Sequence, residues 1–161
     1  MEPNVFLLLG ANLGDRAEQL QKAAAEIDNS VGTVLQKSSM YQTAAWGKQS
    51  QRDFYNQVLH IRTSLTAEAV LEKILLIEQK LGRQRNEKWG TRTIDIDILY
   101  FGSTVVNHPQ LIIPHPAIAT RRFTLVPLAE ISPLFMHPVL QLTNAVLLQQ
   151  CDDPLGVERL S

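Results

Sequence analysis

The spacing of apolar and polar positions divides the chain into short strands and amphipathic helices. The apolar run from Val5 to Leu9 predicts a buried strand, and behind Asp15, a candidate N-cap, apolar residues recur at helical spacing. The segment 66–82 opens with a threonine, repeats apolar residues every three or four positions and ends at a glycine. This combination of cap, periodicity and stop signal predicts the most regular helix of the chain.

Three more strands are predicted from residue type and alternation. The segment "TVLQKSSMYQT" is rich in β-branched and aromatic residues. The segment "FYNQVLHIRTSL" alternates and places Phe54, Asn56 and Val58 on one side, and "TIDIDIL" alternates strictly. The resulting order βαββαβ predicts an α+β fold of the ferredoxin-like type, in which two helices pack on one face of an antiparallel sheet.

The last third of the chain is predicted to add smaller pieces to this core. A hairpin is expected around Val105 and Ile112, and a final helix over 142–150. Repeated prolines between positions 114 and 138 are expected to exclude long regular elements there. The length fits a single domain, residues 1–161.

Composition and charge limit the classes of function. The 161 residues are 45% hydrophobic and carry a formal net charge of -1, which does not favour a nucleic-acid or membrane-surface binder. The single cysteine, Cys151, excludes an intramolecular disulfide and agrees with a reducing compartment, so we expect a cytoplasmic location. Neither a signal peptide nor a stretch of about 20 apolar residues is expected from the pattern.

Two aspartates interrupt the strand that is richest in isoleucine. Asp95 and Asp97 face the same way, with Cα atoms roughly 6.5 to 7 Å apart, while Ile94, Ile96 and Ile98 face the other way. Such a pair could lie on a solvated face or pair with arginines, but aspartate is unfavourable in mid-strand, which points to a functional site. Paired carboxylates without histidine or cysteine beside them suit Mg²⁺, which commonly also binds substrate phosphates.

Basic residues suited to phosphate lie close to this pair in sequence. Arginine binds phosphate oxygens in bidentate fashion, although a basic residue such as Arg83 can also complement a helix dipole. These basic residues are Arg83, Arg85, Lys88 and Arg92 upstream, and Arg121 and Arg122 downstream. The glycine-containing "GANLGD" lacks the signature of a phosphate loop, so Gly10 and Gly14 are expected to shape a turn.

The motifs together resemble those of a known family, the 6-hydroxymethyl-7,8-dihydropterin pyrophosphokinases of folate biosynthesis. The resemblance runs nearly end to end, through "GANLGD", "SSMYQTAAWG", "FYNQV", "IEQKLGRQR", "KWGTRTIDIDILYFG" and "IPHPAIATRRFTLVPLAEISP". It implies a monomer with a ferredoxin-like fold that transfers the β,γ-pyrophosphoryl group of ATP to the hydroxyl of the dihydropterin and leaves AMP.

The same resemblance implies roles for individual residues. Two Mg²⁺ ions would be held by Asp95 and Asp97, and the catalytic residues would be Arg83, Arg92 and Asp97, the last assisting deprotonation of the hydroxyl. The implied ATP contacts are Glu78, Arg83, Arg85, Trp89, Arg92, Ile98, His115 and Arg121. The implied pterin contacts are Thr43, Ala44, Ala45, Trp46, Phe54, Asn56 and Phe123, with the two phenylalanines stacked on the ring.

The chain also departs from the family pattern in the pterin loop and the basic loop. A proline pair common in the family is replaced by Ala44 and Ala45, and Lys88 stands where some members have arginine. Two other functions stay open on the residues alone: an ordinary kinase, which would release ADP instead of AMP, and a binding module that holds a nucleotide without chemistry. Nucleic-acid binding is a weaker third alternative.

Overall fold

The computed structural model describes residues 2–44, 53–83 and 94–160. These ranges contain eight strands and four α-helices, together with one short 3₁₀ turn. The strands are β1 (Asn4–Ala11), β2 (Thr33–Lys37), β3 (Tyr41–Thr43), β4 (Phe54–Arg62), β5 (Asp95–Phe101), β6 (Val106–His108), β7 (Leu111–Ile113) and β8 (Val157–Arg159). The helices are α1 (Arg16–Ser30), α2 (Ala67–Arg83), α3 (Arg122–Ile131) and α4 (Asn144–Gln150), and the 3₁₀ turn is Ile118–Thr120.

The main sheet has the order β5-β1-β4-β3-β8, and β2 pairs with the other half of β4's outer edge. All of its pairings are antiparallel. The predicted strand over 33–43 is divided in two at Ser38, whose buried hydroxyl accepts the Val58 N–H at 2.9 Å. The predicted hairpin is confirmed as β6 and β7, which pair with each other.

The two predicted helix starts are confirmed by their caps. The Asp15 carboxylate accepts the Glu18 N–H at 3.0 Å, and the Thr66 hydroxyl accepts the Ala69 N–H at 3.1 Å. Both helices pack on the sheet face that carries Leu7, Leu9 and Ile96, which are all buried in the first of two apolar cores. This face is therefore covered as the alternation along the strands predicted.

The other face of the sheet is also covered, by helices that follow the predicted βαββαβ core. Here α3 and α4 pack through Leu125, Leu128 and Leu147 on Phe6 and Tyr100 of the sheet. Aromatic contacts tighten this second core: the rings of Phe6 and Tyr100 are edge to face with centroids 5.9 Å apart.

Helix α3 shows that the expectation of no long regular element between the prolines is wrong. The helix runs for ten residues with Pro127 inside it, although a proline there removes one backbone donor. The side chains of Leu125, Pro127 and Leu128 are buried, so apolar burial outweighs the missing hydrogen bond.

In the described ranges, none of the helices combines the length and the hydropathy that crossing a membrane requires.

Candidate active site

One end of the second sheet face is open, and three neighbouring strands bring polar residues together there. In the register, Gly10 of the central strand β1 lies between Asn56 of β4 and Asp95 of β5. Two residues further along β1, Leu8 lies beside Asp97. Since alternate residues of a strand share a face, Asp95 and Asp97 point to the same side as Asn56, as the alternation predicted.

A cavity of about 600 Å³ lies over this open end, between the sheet and the start of α3. That volume is within the range of small-molecule sites. The residues that line it are Leu8, Gly10, Thr43, Ala44, Phe54, Asn56, Asp95, Asp97, Thr120, Arg121 and Phe123. Eight of the site residues predicted from the sequence, Arg121 among them, thus line one cavity. Leu8, Gly10 and Thr120 also line it but were not predicted as site residues.

The acidic side of the cavity lies on β5, at the edge of the sheet. Asp95 and Asp97 are both half-buried, and neighbouring Ile96 is buried on the opposite face. His115 lies close enough to Asp97 and Arg121 for their charges to act on it. Burial lowers the pKa of His115, the Asp97 carboxylate opposes this, and the Arg121 guanidinium lowers it further. The imidazole is therefore neutral at pH 7.

The orientation of His115 is fixed by the backbone on both sides. The backbone N–H of His115 donates to the Leu99 carbonyl at 3.0 Å, and its ring Nδ1 accepts the Ala117 N–H at 3.1 Å. Because Nδ1 is an acceptor in the neutral ring, the proton lies on Nε2, which is the atom left to act as a donor.

Glu78 and Ile98 occupy less direct positions than the sequence implied. The Glu78 carboxylate reaches from α2 to the edge of β5 and accepts the Ile96 N–H at 2.7 Å. The Ile98 side chain is buried in the first core, so only its backbone, on an edge strand of the described sheet, is placed to contact a ligand. Contacts of both residues with ATP stay predictions.

The opposite side of the cavity carries rings and unmatched polar atoms. The side chains of Thr43 and Asn56 are 3% and 4% exposed, yet Thr43 Oγ1 and Asn56 Oδ1 have no hydrogen-bond partner in the part of the chain that the structure describes. Buried polar groups are normally hydrogen-bonded, so these two atoms point to a ligand. Phe54 and Phe123 are half-buried beside them, and the Arg121 guanidinium lies 5.5 Å from the centre of the Phe123 ring.

Two sets of contacts hold the walls on this side. Arg16 donates to the Asp53 carbonyl at 2.7 Å and lies 4.0 Å above the ring of Tyr55, while Gln42 donates to the Asp53 carboxylate at 2.8 Å. Phe54 lies between the two residues that Arg16 contacts. Its backbone is thereby held at the point where β4 begins.

The second set ties α3 to the segment 39–41. The Glu130 carboxylate accepts the Ser39 N–H at 3.0 Å, the Ser39 hydroxyl at 2.7 Å and the Tyr41 hydroxyl at 2.7 Å. Burial, with the bond to Glu130, raises the pKa of Tyr41 to about 12. Burial alone would raise the pKa of Glu130, but the hydrogen bonds from Tyr41 and Ser39 outweigh the effect of burial, so the pKa is lowered. The contact is thus held with the carboxylate charged.

Some predicted residues are not brought to the cavity or cannot be placed. The side chain of Arg83 and all of Ala45, Trp46, Arg85, Lys88, Trp89 and Arg92 lie outside the described residues. Arg122 does not line the cavity. Its guanidinium donates to the backbone carbonyls of Asp153 and Cys151, at 3.1 and 3.4 Å. Gly14 has a φ of 63° and shapes the turn as expected. Gly10 lies inside β1, so the prediction that it shapes a turn is wrong.

The fold and the cavity define a class: a ferredoxin-like α+β protein in which two carboxylates, two phenylalanine rings and two unpartnered polar atoms meet at one end of the sheet. A model of the family "7,8-dihydro-6-hydroxymethylpterin-pyrophosphokinase (HPPK)" matches residues 6–133. The chain belongs to this family, and the pyrophosphokinase activity in folate biosynthesis expected from the sequence is confirmed.

Individual relatives agree with this assignment. The chain is 41% identical over 145 residues to a 2-amino-4-hydroxy-6-hydroxymethyldihydropteridine pyrophosphokinase of Synechocystis, covering 89% of this chain and 74% of that protein. It is 38% identical over 156 residues to the enzyme of the same name from Methylorubrum extorquens, covering 96% of this chain and 97% of that one. Bacillus subtilis has a relative of this name that is 42% identical over 127 residues, covering 78% and 76%.

Solved structures confirm the fold. A crystal structure of an HPPK-DHPS protein in complex with substrates superposes with a TM-score of 0.75 at 14% identity, covering 92% of this chain and 43% of that chain. The wild-type HPPK-DHPS of Plasmodium falciparum superposes with a TM-score of 0.74 at 16% identity, covering 93% and 45%. The chain thus spans less than half of these longer proteins, and at such identities the likeness concerns the fold alone.

Proposed function

We propose that the described cavity is the place where this chain transfers pyrophosphate from ATP to 6-hydroxymethyl-7,8-dihydropterin. The pterin occupies the side of Thr43, Asn56 and the two phenylalanines, and the polyphosphate lies over Asp95 and Asp97. The observation that carries the proposal is the meeting of two carboxylates and two unpartnered buried polar atoms at one cavity. The hydroxyl oxygen forms a bond to the β-phosphorus, the bond from that phosphorus to the α,β-bridging oxygen breaks, and AMP leaves.

The acidic pair fits magnesium by the chemistry of its donors. No cluster of three histidine, cysteine or acidic side chains that could hold a metal occurs in the described ranges, so the protein's contribution is the pair of carboxylates. Mg²⁺ usually takes one or two carboxylates and completes its shell with water and substrate phosphates. We therefore assign two Mg²⁺ ions to Asp95 and Asp97. When bound, they supply charge neutralisation and orientation for the phosphates.

The remaining residues of the acidic side act on charge and position. Arg121 contributes a guanidinium at the mouth of the cavity, and neutral His115 offers its Nε2 proton as a donor to a phosphate oxygen. Asp97 is placed to accept the proton that the pterin hydroxyl loses. Arg83 and Arg92 are assigned by family resemblance to stabilise the transferred group, since phosphoryl transfer depends mainly on alignment and charge. Their share of the work is a proposal from sequence.

On the pterin side, shape and hydrogen bonding have separate tasks. Phe54 and Phe123 provide flat apolar surfaces that stack on a bicyclic ring. Stacking adds affinity but does not discriminate among heterocycles. Selection falls to Asn56 and Thr43, because buried polar atoms left without partners disfavour a ring that cannot bond to them. The Asn56 Oδ1 accepts an N–H of the ring, and the Thr43 hydroxyl serves as donor or acceptor.

The product nucleotide tests this function. The purified chain is incubated with ATP, Mg²⁺ and 6-hydroxymethyl-7,8-dihydropterin, and the nucleotides are separated by chromatography. AMP that appears only when the pterin is present is the expected result. ADP in its place would show transfer of a single phosphate, and ATP binding without turnover would reduce the chain to a nucleotide-binding module.

The setting of the reaction follows from the same features. We propose that the protein acts as a monomer, as the family resemblance implies, which sedimentation at assay concentration checks. A lone, partly buried cysteine and a need for ATP favour the cytoplasm.

A further inference from the structure

Gly10 occupies a position in the sheet where backbone geometry does not require glycine. It lies within β1, between Asn56 and Asp95, and it is not among the described residues with a positive φ. An alanine can adopt an extended backbone of this kind without strain. The reason for a glycine must therefore be the space that its missing side chain leaves open.

That space is bounded by one side chain in particular. A Cβ built on Gly10 would lie 2.9 Å from Asn56 Nδ2 and 3.9 Å from Phe54 Cδ1. The second distance is ordinary van der Waals contact, whereas the first is shorter than carbon and nitrogen tolerate without a bond. Asp95, the other neighbour in the register, is not among the atoms within 4 Å. A side chain at this position would therefore disturb Asn56 and leave the acidic edge alone.

Asn56 has little freedom to move aside. The residue lines the cavity and is 4% exposed, and its buried Oδ1 has no hydrogen-bond partner in the described part of the chain. Relieving a contact at Nδ2 requires rotation of the whole amide, because Oδ1 and Nδ2 are carried by the same rigid plane. Such a rotation changes the direction in which both atoms face a ligand.

We propose that Gly10 is a positioning residue for pterin selection: its missing Cβ allows the Asn56 amide to keep the orientation that reads the heterocycle. The inference rests on the proposed role of Asn56 in pterin binding. It adds a residue on a different strand, which acts through Asn56 and not by touching the pterin.

A double-mutant cycle tests this proposal. Rates of AMP formation are measured against pterin concentration at saturating Mg·ATP for the wild type, Gly10→Ala, Asn56→Ala and the double variant. Gly156→Ala is the matched control, because a Cβ built on Gly156 has no heavy atom within 4 Å. The KM for ATP and the melting temperature are recorded for each protein.

The expected result is a fall of about tenfold or more in kcat/KM for the pterin in Gly10→Ala, of the size that follows the loss of a buried hydrogen bond. The KM for ATP stays within about twofold. In the Asn56→Ala background the same change at Gly10 has no further effect, because the amide that it displaces is already gone. If Gly10→Ala lowers the melting temperature, the shortened residue 56 restores it.

Three outcomes would overturn the proposal. A Gly10→Ala enzyme with wild-type kcat/KM for the pterin removes it directly. Equal losses from Gly10→Ala in both backgrounds would show that the new methyl group blocks the ring itself. A loss of melting temperature that Asn56→Ala does not relieve, without a change in pterin KM, would show a purely structural role. If Asn56→Ala alone leaves pterin kinetics unchanged, the proposed role of Asn56 fails instead.

Discussion

The two ends of one sheet face contrast in what covers their side chains. At the closed end, Phe6 stacks on His60 with ring centroids 4.6 Å apart, and the Tyr100 hydroxyl donates to the Asn144 amide oxygen at 2.8 Å. His60 Nε2 has no hydrogen-bond partner among the described residues, but its ring is covered by Phe6. At the open end, Asn56 Oδ1 and Thr43 Oγ1 have no partner in the described ranges. The strands are continuous between the two ends, so the difference lies in what α3 and α4 cover.

This contrast separates stability from function within one sheet. The closed end gains free energy from apolar burial, ring contacts and the Tyr100–Asn144 hydrogen bond. The open end leaves polar groups for a ligand to match, at a cost in stability that the closed end offsets. Substitutions at the two ends should therefore affect different measurements, and the predictions below use that separation.

The largest effect is expected at the acidic edge. Replacing Asp97 by asparagine removes a carboxylate that we assign to Mg²⁺ and to the hydroxyl proton, so kcat/KM should fall on the order of 10³-fold or more. The melting temperature should stay equal or rise, since a half-buried charge is removed beside Asp95. AMP formation and thermal unfolding are the two measurements. An Asp97→Asn enzyme with wild-type turnover would refute the metal assignment.

A substitution at the closed end should reverse this pattern. Phe6 is 1% exposed and contacts His60, Tyr100 and Phe135 through ring interactions. Its replacement by alanine should lower the free energy of unfolding by about 3–5 kcal/mol, the usual cost of a buried Phe→Ala change. The KM values of the remaining folded enzyme, measured well below its melting temperature, should change little. A changed pterin KM would show that the two ends are coupled.

A smaller effect is expected from the stacking ring on α3. Replacing Phe123 by alanine should raise the pterin KM roughly 10- to 100-fold, as for loss of a ring that stacks on a base. The KM for ATP should change less, and Phe123→Tyr should keep most of the affinity because the flat surface is retained. Initial rates at varied pterin concentration decide this. Equal losses for alanine and tyrosine would contradict the stacking role, because tyrosine retains the flat ring.

The smallest effect concerns pH and the closed end. Burial lowers the pKa of His137, and of His60 together with the charge of Arg62, below the ordinary value of 6.5. As pH falls below that value the unfolded chain binds protons first, so stability is complete above it and decreases on acidification. Glu130, whose pKa is also lowered, loses its contribution only in more acidic solution.

The measurement is the melting temperature between pH 7 and pH 5. It should decrease towards pH 5, and His137→Gln should make the decrease shallower. His108→Gln is the control for a histidine substitution outside the second core, because His108 is exposed on the small hairpin. A slope that is identical in all three proteins would show that His137 does not contribute.

Much of this arrangement follows from local patterns in the sequence. Strict alternation put Asp95 and Asp97 on one face and their isoleucine neighbours in the core, and the alternation of β4 put Phe54 and Asn56 on one side. Both conclusions need only the period of a strand. The capping residues Asp15 and Thr66 likewise predicted where α1 and α2 begin, to within one residue, because a cap bonds to backbone groups next to it in sequence.

The features that were missed depend on contacts between distant segments. Helix α3 forms around Pro127 because its leucines are buried against the sheet, which no local propensity records. Gly10 lies in a run of apolar residues without alternation, so its face and its closeness to Asn56 follow only from the register of β1 with β4. The short strand β8 pairs with β3 across more than a hundred residues of sequence.

The central claim is that one open sheet end holds nucleotide on the β5 side and pterin on the β4 side. Titration of a non-hydrolysable ATP analogue with Mg²⁺ into three proteins tests it most directly: wild type, Asp97→Asn and Asn56→Ala. We expect Asp97→Asn to weaken nucleotide binding about tenfold or more, and Asn56→Ala to bind like the wild type. Wild-type affinity in Asp97→Asn, or equal weakening in both variants, would contradict it.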